Sequence, residues 1–163
     1  MDINGFLTAL QDTPVATAIL EGDDLFPWIE TIHVLAVVTV VGTISIIDLR
    51  LIGVAAHTKS VQRLMRQLLP LTWSAFSIAL LAGLLMFSSK AVKYAANVPF
   101  RIKMLLLLAA GINMIIFHFV TYRTVDAWDE GRTPTAARVA GFLSLSLWIV
   151  VIIFGRWIGF TIV

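Results

Sequence analysis

Residues 27–50 read PWIETIHVLAVVTVVGTISIIDLR, and this stretch decides the fold. Its apolar part runs from Ile29 to Ile47, which at ~1.5 Å per residue makes a helix about 28 Å long. A helix of that length crosses the hydrocarbon core of a bilayer. Pro27 suits a first helical turn because its missing N–H is not needed there. The stretch therefore predicts a membrane-spanning helix, and it carries one histidine, His33.

The composition places the whole chain in the membrane. Hydrophobic residues make up 59% and charged residues 13% of its 163 residues, and the mean hydropathy is +0.92. A soluble domain carries about twice that charged fraction. The absence of cysteine excludes disulfides, iron–sulfur clusters and thiolate zinc sites. The net charge is only +2 and the basic residues are dispersed, so the expected partner is the lipid bilayer and not nucleic acid.

Three further apolar segments complete a predicted bundle. The expected spans are about residues 27–51, 71–88, 99–122 and 138–160. Connections of about ten to twenty residues predict an all-α, up-down four-helix bundle, with residues 1–163 as a single transmembrane domain. Residues 1–25 predict an N-terminal interfacial helix, interrupted at Pro14. Ser60 is expected to start a short amphipathic helix before the second span begins near Pro70.

The distribution of basic residues predicts the orientation. Residues 1–25 contain no lysine or arginine. With the N-terminus outside, the basic residues on the inner side are Arg50, Lys59, Arg63, Arg66, Arg123, Arg132 and Arg138, and the fewer on the outer side are Lys90, Lys93, Arg101, Lys103 and Arg156. By the positive-inside rule the N-terminus and the C-terminus lie outside. The acidic N-terminus lacks the basic region of a secretory signal peptide. The expected location is the bacterial cytoplasmic (inner) membrane, with a periplasmic N-terminus.

Two ionisable side chains are expected at one depth near the outer face. His33 lies ~9 Å past Pro27 and Lys103 lies ~6 Å past Pro99, on helices that run in the same direction. Arg101 lies half a turn above Lys103. An imidazole ligand with cations for the propionates would suit a haem. The alternative is that Arg101 and Lys103 snorkel at a helix start while His33 bonds to a neighbouring carbonyl or hydroxyl.

His118 offers a second histidine near the inner face, on one side of its helix with Gly111 and Met114. It is expected ~20 Å from His33 in depth, so the two cannot bind one iron. Both are candidate metal ligands only with two haems or with a different topology. His57 is expected in a surface loop.

Three other polar positions receive structural interpretations. Asp48 and Arg50 end the first span, and as ions at a helix end they are expected to pair with Arg123 or with loop charges. Asn113 lies in the middle of the third span and predicts an interhelical hydrogen bond. Glu30 is expected to be an interfacial acid near its helix N-terminus.

Two segments resemble known membrane families. The stretch IHVLAVVTVVG, residues 32–42, is similar to the first helix of HemJ-type protoporphyrinogen oxidases and of the CopD copper-resistance membrane domain. The stretch FRIKMLLL, residues 100–107, looks like their lysine-led helix, which also carries a later histidine, as His118 does here. The whole chain looks more like an uncharacterised bacterial four-helix membrane family that shares these features. The resemblance implies a haem b near His33, with Lys103 close to the iron or the propionates. The tryptophan-rich surroundings of the HemJ histidine are missing here, so the site is carried over and the reaction is not.

The sequence therefore predicts a haem b-binding membrane protein with an electron-transfer or oxidoreductase role. Its haem-site residues would be His33, Lys103, Arg101 and His118, and a quinone or another membrane redox protein would be its partner. One alternative is a non-catalytic subunit or anchor of a larger complex, which the small size and the small-residue helix faces favour. A second alternative is a small transporter or metal-handling protein. Assembly into a homo-oligomer or a larger complex stays open.

Overall fold

The computed structural model describes residues 3–55, 59–129 and 131–162, and their regular secondary structure is helical throughout. The helices are α1 (Ile3–Gln11), α2 (Pro14–Glu21), α3 (Leu25–Ile52), α4 (Val61–Ser89), α5 (Ala91–Ala96), α6 (Val98–Ile116) and α7 (Thr135–Thr161). Helix α6 continues into a π-helical turn (Phe117–Thr121) and a 3₁₀ segment (Tyr122–Ala127).

Four of these elements are long and apolar enough to cross a membrane: α3, α4, α7, and α6 with its continuation to Ala127. They confirm the predicted all-α membrane bundle, and the chain is a multi-pass membrane protein. Within each long helix the backbone hydrogen bonds are made internally, which is the condition for crossing lipid. Hydropathy alone was therefore enough to locate the spans.

The start of the second span differs from the prediction. Helix α4 runs unbroken from Val61 with Pro70 inside it, where a separate short helix was expected before the span. Membrane helices tolerate an internal proline because the freed groups find other partners. At the start of α4 the Ser60 hydroxyl accepts the N–H of Arg63 at 3.1 Å. The carboxylate of Asp129 accepts the N–H groups of Val61 and Gln62.

The long helices pack in the order α4, α3, α7, α6. Helix α3 packs on α4 and α7, and α7 packs on α6, whereas α4 and α6 make no extensive contact. We call the line between α4 and α6 the seam, and at the N-terminal end the stacked rings of Phe87 and Phe100 close it. Two polar contacts reinforce the packed pairs: the hydroxyls of Thr43 and Thr72 are 2.8 Å apart, and Asn113 donates to the carbonyl of Ala140 at 3.0 Å. The second contact is the interhelical bond predicted for Asn113.

The two ends of the bundle differ. At the N-terminal end, α1 and α2 pack against α4 and α5, with the break at Pro14 that the sequence predicted. The opposite end, where residues 53–55, 59–60, 128–129 and 131–134 lie, carries the main buried core of the described residues. That core consists of Ile47, Leu51, Val61, Met65, Phe117, Val125, Trp128 and Ala137.

Asp48 and Arg50 do not behave as the expected helix-end ions. Arg50 is buried and donates to the carbonyls of Lys59 (2.7 Å) and Asp129 (3.4 Å) and to the hydroxyl of Thr133 (3.1 Å). Its guanidinium thus ties both connections at this end to α3. Buried carbonyl groups need hydrogen-bond donors, and the guanidinium of Arg50 provides them for these two connections. Asp48 is buried among the helices instead.

Candidate functional site

The ring of His33 is fixed between α3 and α4. Its Nδ1 lies 2.8 Å from the carbonyl oxygen of Ala79, which is the bond to a neighbouring carbonyl that the alternative interpretation of His33 expected. Because a carbonyl can only accept, Nδ1 carries the hydrogen, and in the neutral ring Nε2 keeps a free lone pair. Gly83 makes this seat possible, since a Cβ there would lie 3.1 Å from Cε1 of His33. Gly83 lies one turn beyond Ala79 on α4, and its lack of a side chain leaves the space that the imidazole ring occupies.

Lys103 on α6 is the second predicted site residue, and the structure places it near the first. Its ammonium is close enough to His33 for the two charges to interact. The Lys103 chain lies against Gly155 of α7, where a Cβ would be 3.8 Å from Nζ. Within the described ranges, Nζ makes no hydrogen bond and no ion pair. A half-buried ammonium in this position has room for an anionic partner.

Glu30 and Tyr94 complete a polar cluster at this end. The charge of Glu30 acts on both His33 and Tyr94. Tyr94 is buried, and its ring lies 5.5 Å from that of Phe100. Burial, and secondly the Glu30 carboxylate, raise the pKa of Tyr94 above its usual value. Tyr94 is thus a neutral hydroxyl at physiological pH. We call His33, Lys103, Glu30 and Tyr94 the His33 cluster.

Arg101 is engaged elsewhere. It donates from Nε to the carbonyl of Ala95 and from Nη2 to that of Ala96, both at 3.0 Å. These two carbonyls end α5, so the guanidinium caps that short helix and fixes its junction with α6. The predicted contact of Arg101 with a haem propionate stays a prediction.

His118 lies far from the His33 cluster. It is 15 residues beyond Lys103 on the same continuous span, which is roughly 22 Å at the helical rise. Its Nδ1 lies 3.1 Å from the carbonyl of Met114. His33 and His118 therefore belong to separate sites, and no group of three or more His, Asp or Glu side chains in the described ranges could hold a metal ion. His57 lies outside the described residues.

A cavity of about 190 Å³ lies between the four long helices, toward the opposite end. We call it the central cavity. Its walls are mostly apolar, and His118 borders it. Asp48 also borders it, although its side chain is only 4% exposed. One carboxylate oxygen, Oδ2, has no hydrogen-bond partner in the described part of the chain. Ser144 on α7 interacts with the carboxylate through its hydroxyl.

The model of DUF6644, a family of unknown function, matches residues 25–161. This chain is a DUF6644 protein. The match begins at the first residue of α3 and ends at the last residue of α7, so it covers the whole four-helix bundle. No curated protein and no solved structure matches the chain. The resemblance to HemJ-type and CopD proteins stays a prediction.

Depth reasoning brought His33 and Lys103 of this DUF6644 protein together correctly, but it missed Asp48. The signal was present, because an acid inside a membrane helix is costly and is rarely without a role. Its position two residues before Arg50, near the end of the apolar run, made it look like a surface ion. Only the packing of α7 over that turn of α3 makes Asp48 an interior group.

Proposed function

We propose that this DUF6644 protein binds haem b within the membrane and transfers electrons. The observation that carries the proposal is the orientation of His33, whose Nδ1–H is held by the Ala79 carbonyl at 2.8 Å. Histidines that bind metals donate their other ring N–H to a carbonyl or carboxylate in this way, which fixes the tautomer and leaves Nε2 as the ligand. The donor chemistry of His33 therefore fits a residue that would hold a haem.

Lys103 is the second residue whose chemistry suits a bound haem. Its ammonium lies within electrostatic range of His33 and has no partner of its own in the described ranges. An unpaired cation at membrane depth is costly, and a haem propionate would provide the missing anion. A bound haem would contribute one-electron chemistry. The protein side of that chemistry is the fixed imidazole, the cation and the exclusion of water by the surrounding helices.

We expect a haem to enter the protein along the seam, between α4 and α6. The two described cavities are lined by neither His33 nor Lys103. A flat macrocycle therefore needs α4, which seats the His33 ring, and α6, which carries Lys103, to separate at the N-terminal end. These two long helices make no extensive contact elsewhere, and the contact that would have to open at this end is the stack of Phe87 on Phe100, whose ring centroids are 5.4 Å apart.

We also propose a cellular location and redox partners for the protein. We place the protein in the bacterial cytoplasmic membrane with a periplasmic N-terminus, because residues 1–25 lack basic residues. The His33 cluster then lies on the outer side. A quinone or another membrane redox protein would exchange electrons with it.

Haem content tests the proposal directly. The protein is expressed with ample haem supply and purified in detergent, and its reduced-minus-oxidised spectrum is recorded. We expect a b-type spectrum in the wild type and its loss in His33→Ala. His118→Ala is the matched control, because it removes an imidazole from a separate site and should keep the His33-dependent spectrum. A wild-type protein without a Soret band would exclude haem binding.

A further inference from the structure

The central cavity contains an unsatisfied carboxylate. Asp48 is 4% exposed, and its Oδ2 has no hydrogen-bond partner among the residues that the structure describes. Buried carboxylates are nearly always paired or hydrogen-bonded, because an unpaired charge in a medium of low polarity is strongly unfavourable. Ser144 interacts with the carboxylate through its hydroxyl, but a single hydroxyl does not neutralise a charge. A carboxyl group in this position is stable either as the neutral acid or beside a cation, and a cation at Oδ2 would keep Asp48 ionised.

The described residues around the cavity do not supply that cation. Asp48 and His118 are the ionisable groups among the side chains that line it. His118 directs Nδ1 to the carbonyl of its own helix at Met114. Arg50, two residues after Asp48, donates to the carbonyl of Lys59 and to the hydroxyl of Thr133 instead. Arg66 lines a neighbouring groove and not the cavity itself.

The aromatic side chains that line the central cavity would suit an organic cation. Four aromatic side chains from three helices line the cavity: Trp73, Phe76, Phe117 and Trp148. Aromatic faces attract cations, most strongly when the cation is desolvated, and cages of such rings recognise quaternary ammonium groups. A carboxylate among aromatic rings favours a cation with an apolar body over a hydrated metal ion.

Size and access narrow the ligand further. An apolar cavity of roughly 150 Å³ accommodates one benzene ring, and the central cavity has about 190 Å³. It is bordered by residues of both α4 and α6 and therefore lies along the seam. Trp73, at this border, is 49% exposed. An amphiphilic cation dissolved in the bilayer can thus enter sideways without crossing an aqueous path.

We propose that the central cavity is a binding site for a small lipophilic organic cation, about one ring in size, whose charge pairs with Asp48 and lies against Trp73 and Trp148. This site is separate from the His33 cluster and does not depend on haem binding. It assigns Asp48 the role of counter-ion for a ligand.

A pair of probes of equal shape tests the charge. Phenyltrimethylammonium carries a permanent positive charge, and tert-butylbenzene is its neutral isostere. Binding to the full-length protein in lipid nanodiscs is followed by tryptophan fluorescence at mildly alkaline pH. We expect saturable binding of the cation by the wild type, about tenfold tighter than binding of the neutral isostere, and this preference should disappear in Asp48→Asn.

A second variant keeps the test decisive if Asp48→Asn does not fold. Trp148→Leu keeps an apolar wall and the carboxylate but removes one ring, so it should weaken binding of the cation severalfold and that of the neutral isostere much less. Equal affinity for both probes in the wild type would overturn the proposal and indicate a site for neutral lipophilic molecules. Absence of saturable binding would overturn it as well.

Discussion

Asp129 shows how a single side chain fastens one connection to another. Its carboxylate accepts the hydroxyl of Ser60 and the N–H groups of Val61 and Gln62, at the start of a helix 68 residues earlier in the chain. The carboxylate also lies at the positive end of the α4 dipole. Ser60 was recognisable from the sequence as a helix start, but its partner was not, since no local pattern connects residues so far apart.

Removal of this cap should destabilise the protein. For Asp129→Ala we expect the free energy of unfolding to fall by about 1–2 kcal/mol, because two helix-start N–H groups and one hydroxyl lose their acceptor. Thermal unfolding in detergent, followed by circular dichroism, measures the change. Asp126→Ala is the matched control, since Asp126 accepts one exposed bond from Gln62 and its loss should cost less than about 0.5 kcal/mol. Equal losses in the two variants would contradict the capping role.

At the scale of helices, the sequence located the spans well and their irregularities poorly. Hydropathy identifies a span because lipid leaves the backbone no outside partner. It does not predict that α4 continues through Pro70, or that α6 ends in a π-helical turn at Phe117–Thr121. Both depend on what the neighbouring helices offer at those turns. Small residues on a helix face are also ambiguous without the neighbours.

Two glycines illustrate that ambiguity and provide a test. A Cβ at Gly141 of α7 would lie 3.0 Å from Cβ of Leu51 and 3.1 Å from the carbonyl oxygen of Asp48, whereas one at Gly42 would meet nothing within 4 Å. We expect Gly141→Ala to lower the free energy of unfolding by about 1–3 kcal/mol through overpacking of α3 against α7. Gly42→Ala should be neutral or stabilising by up to about 1 kcal/mol. Thermal unfolding distinguishes them, and a neutral Gly141→Ala would contradict the close crossing.

At the scale of the whole molecule, the order of the helices decides which residues meet. Four apolar spans with similar connections do not specify whether α4 or α7 lies nearest to α6. The observed order leaves the seam between α4 and α6, seats His33 on α4 and encloses Asp48 within the bundle. Depth along each helix, which the sequence does give, was enough to place His33 near Lys103. It could not reveal the central cavity, which needs all four helices.

We propose that the imidazole of His33 binds a haem while its Nδ1–H donates to the carbonyl of Ala79. The most direct test of this proposal is chemical rescue of His33→Gly, in which free imidazole is added to the purified variant in the presence of haem. We expect the b-type spectrum to be lost in His33→Gly and to return with imidazole in a saturable manner. A His33→Gly protein whose haem spectrum equals that of the wild type before any imidazole is added would contradict it.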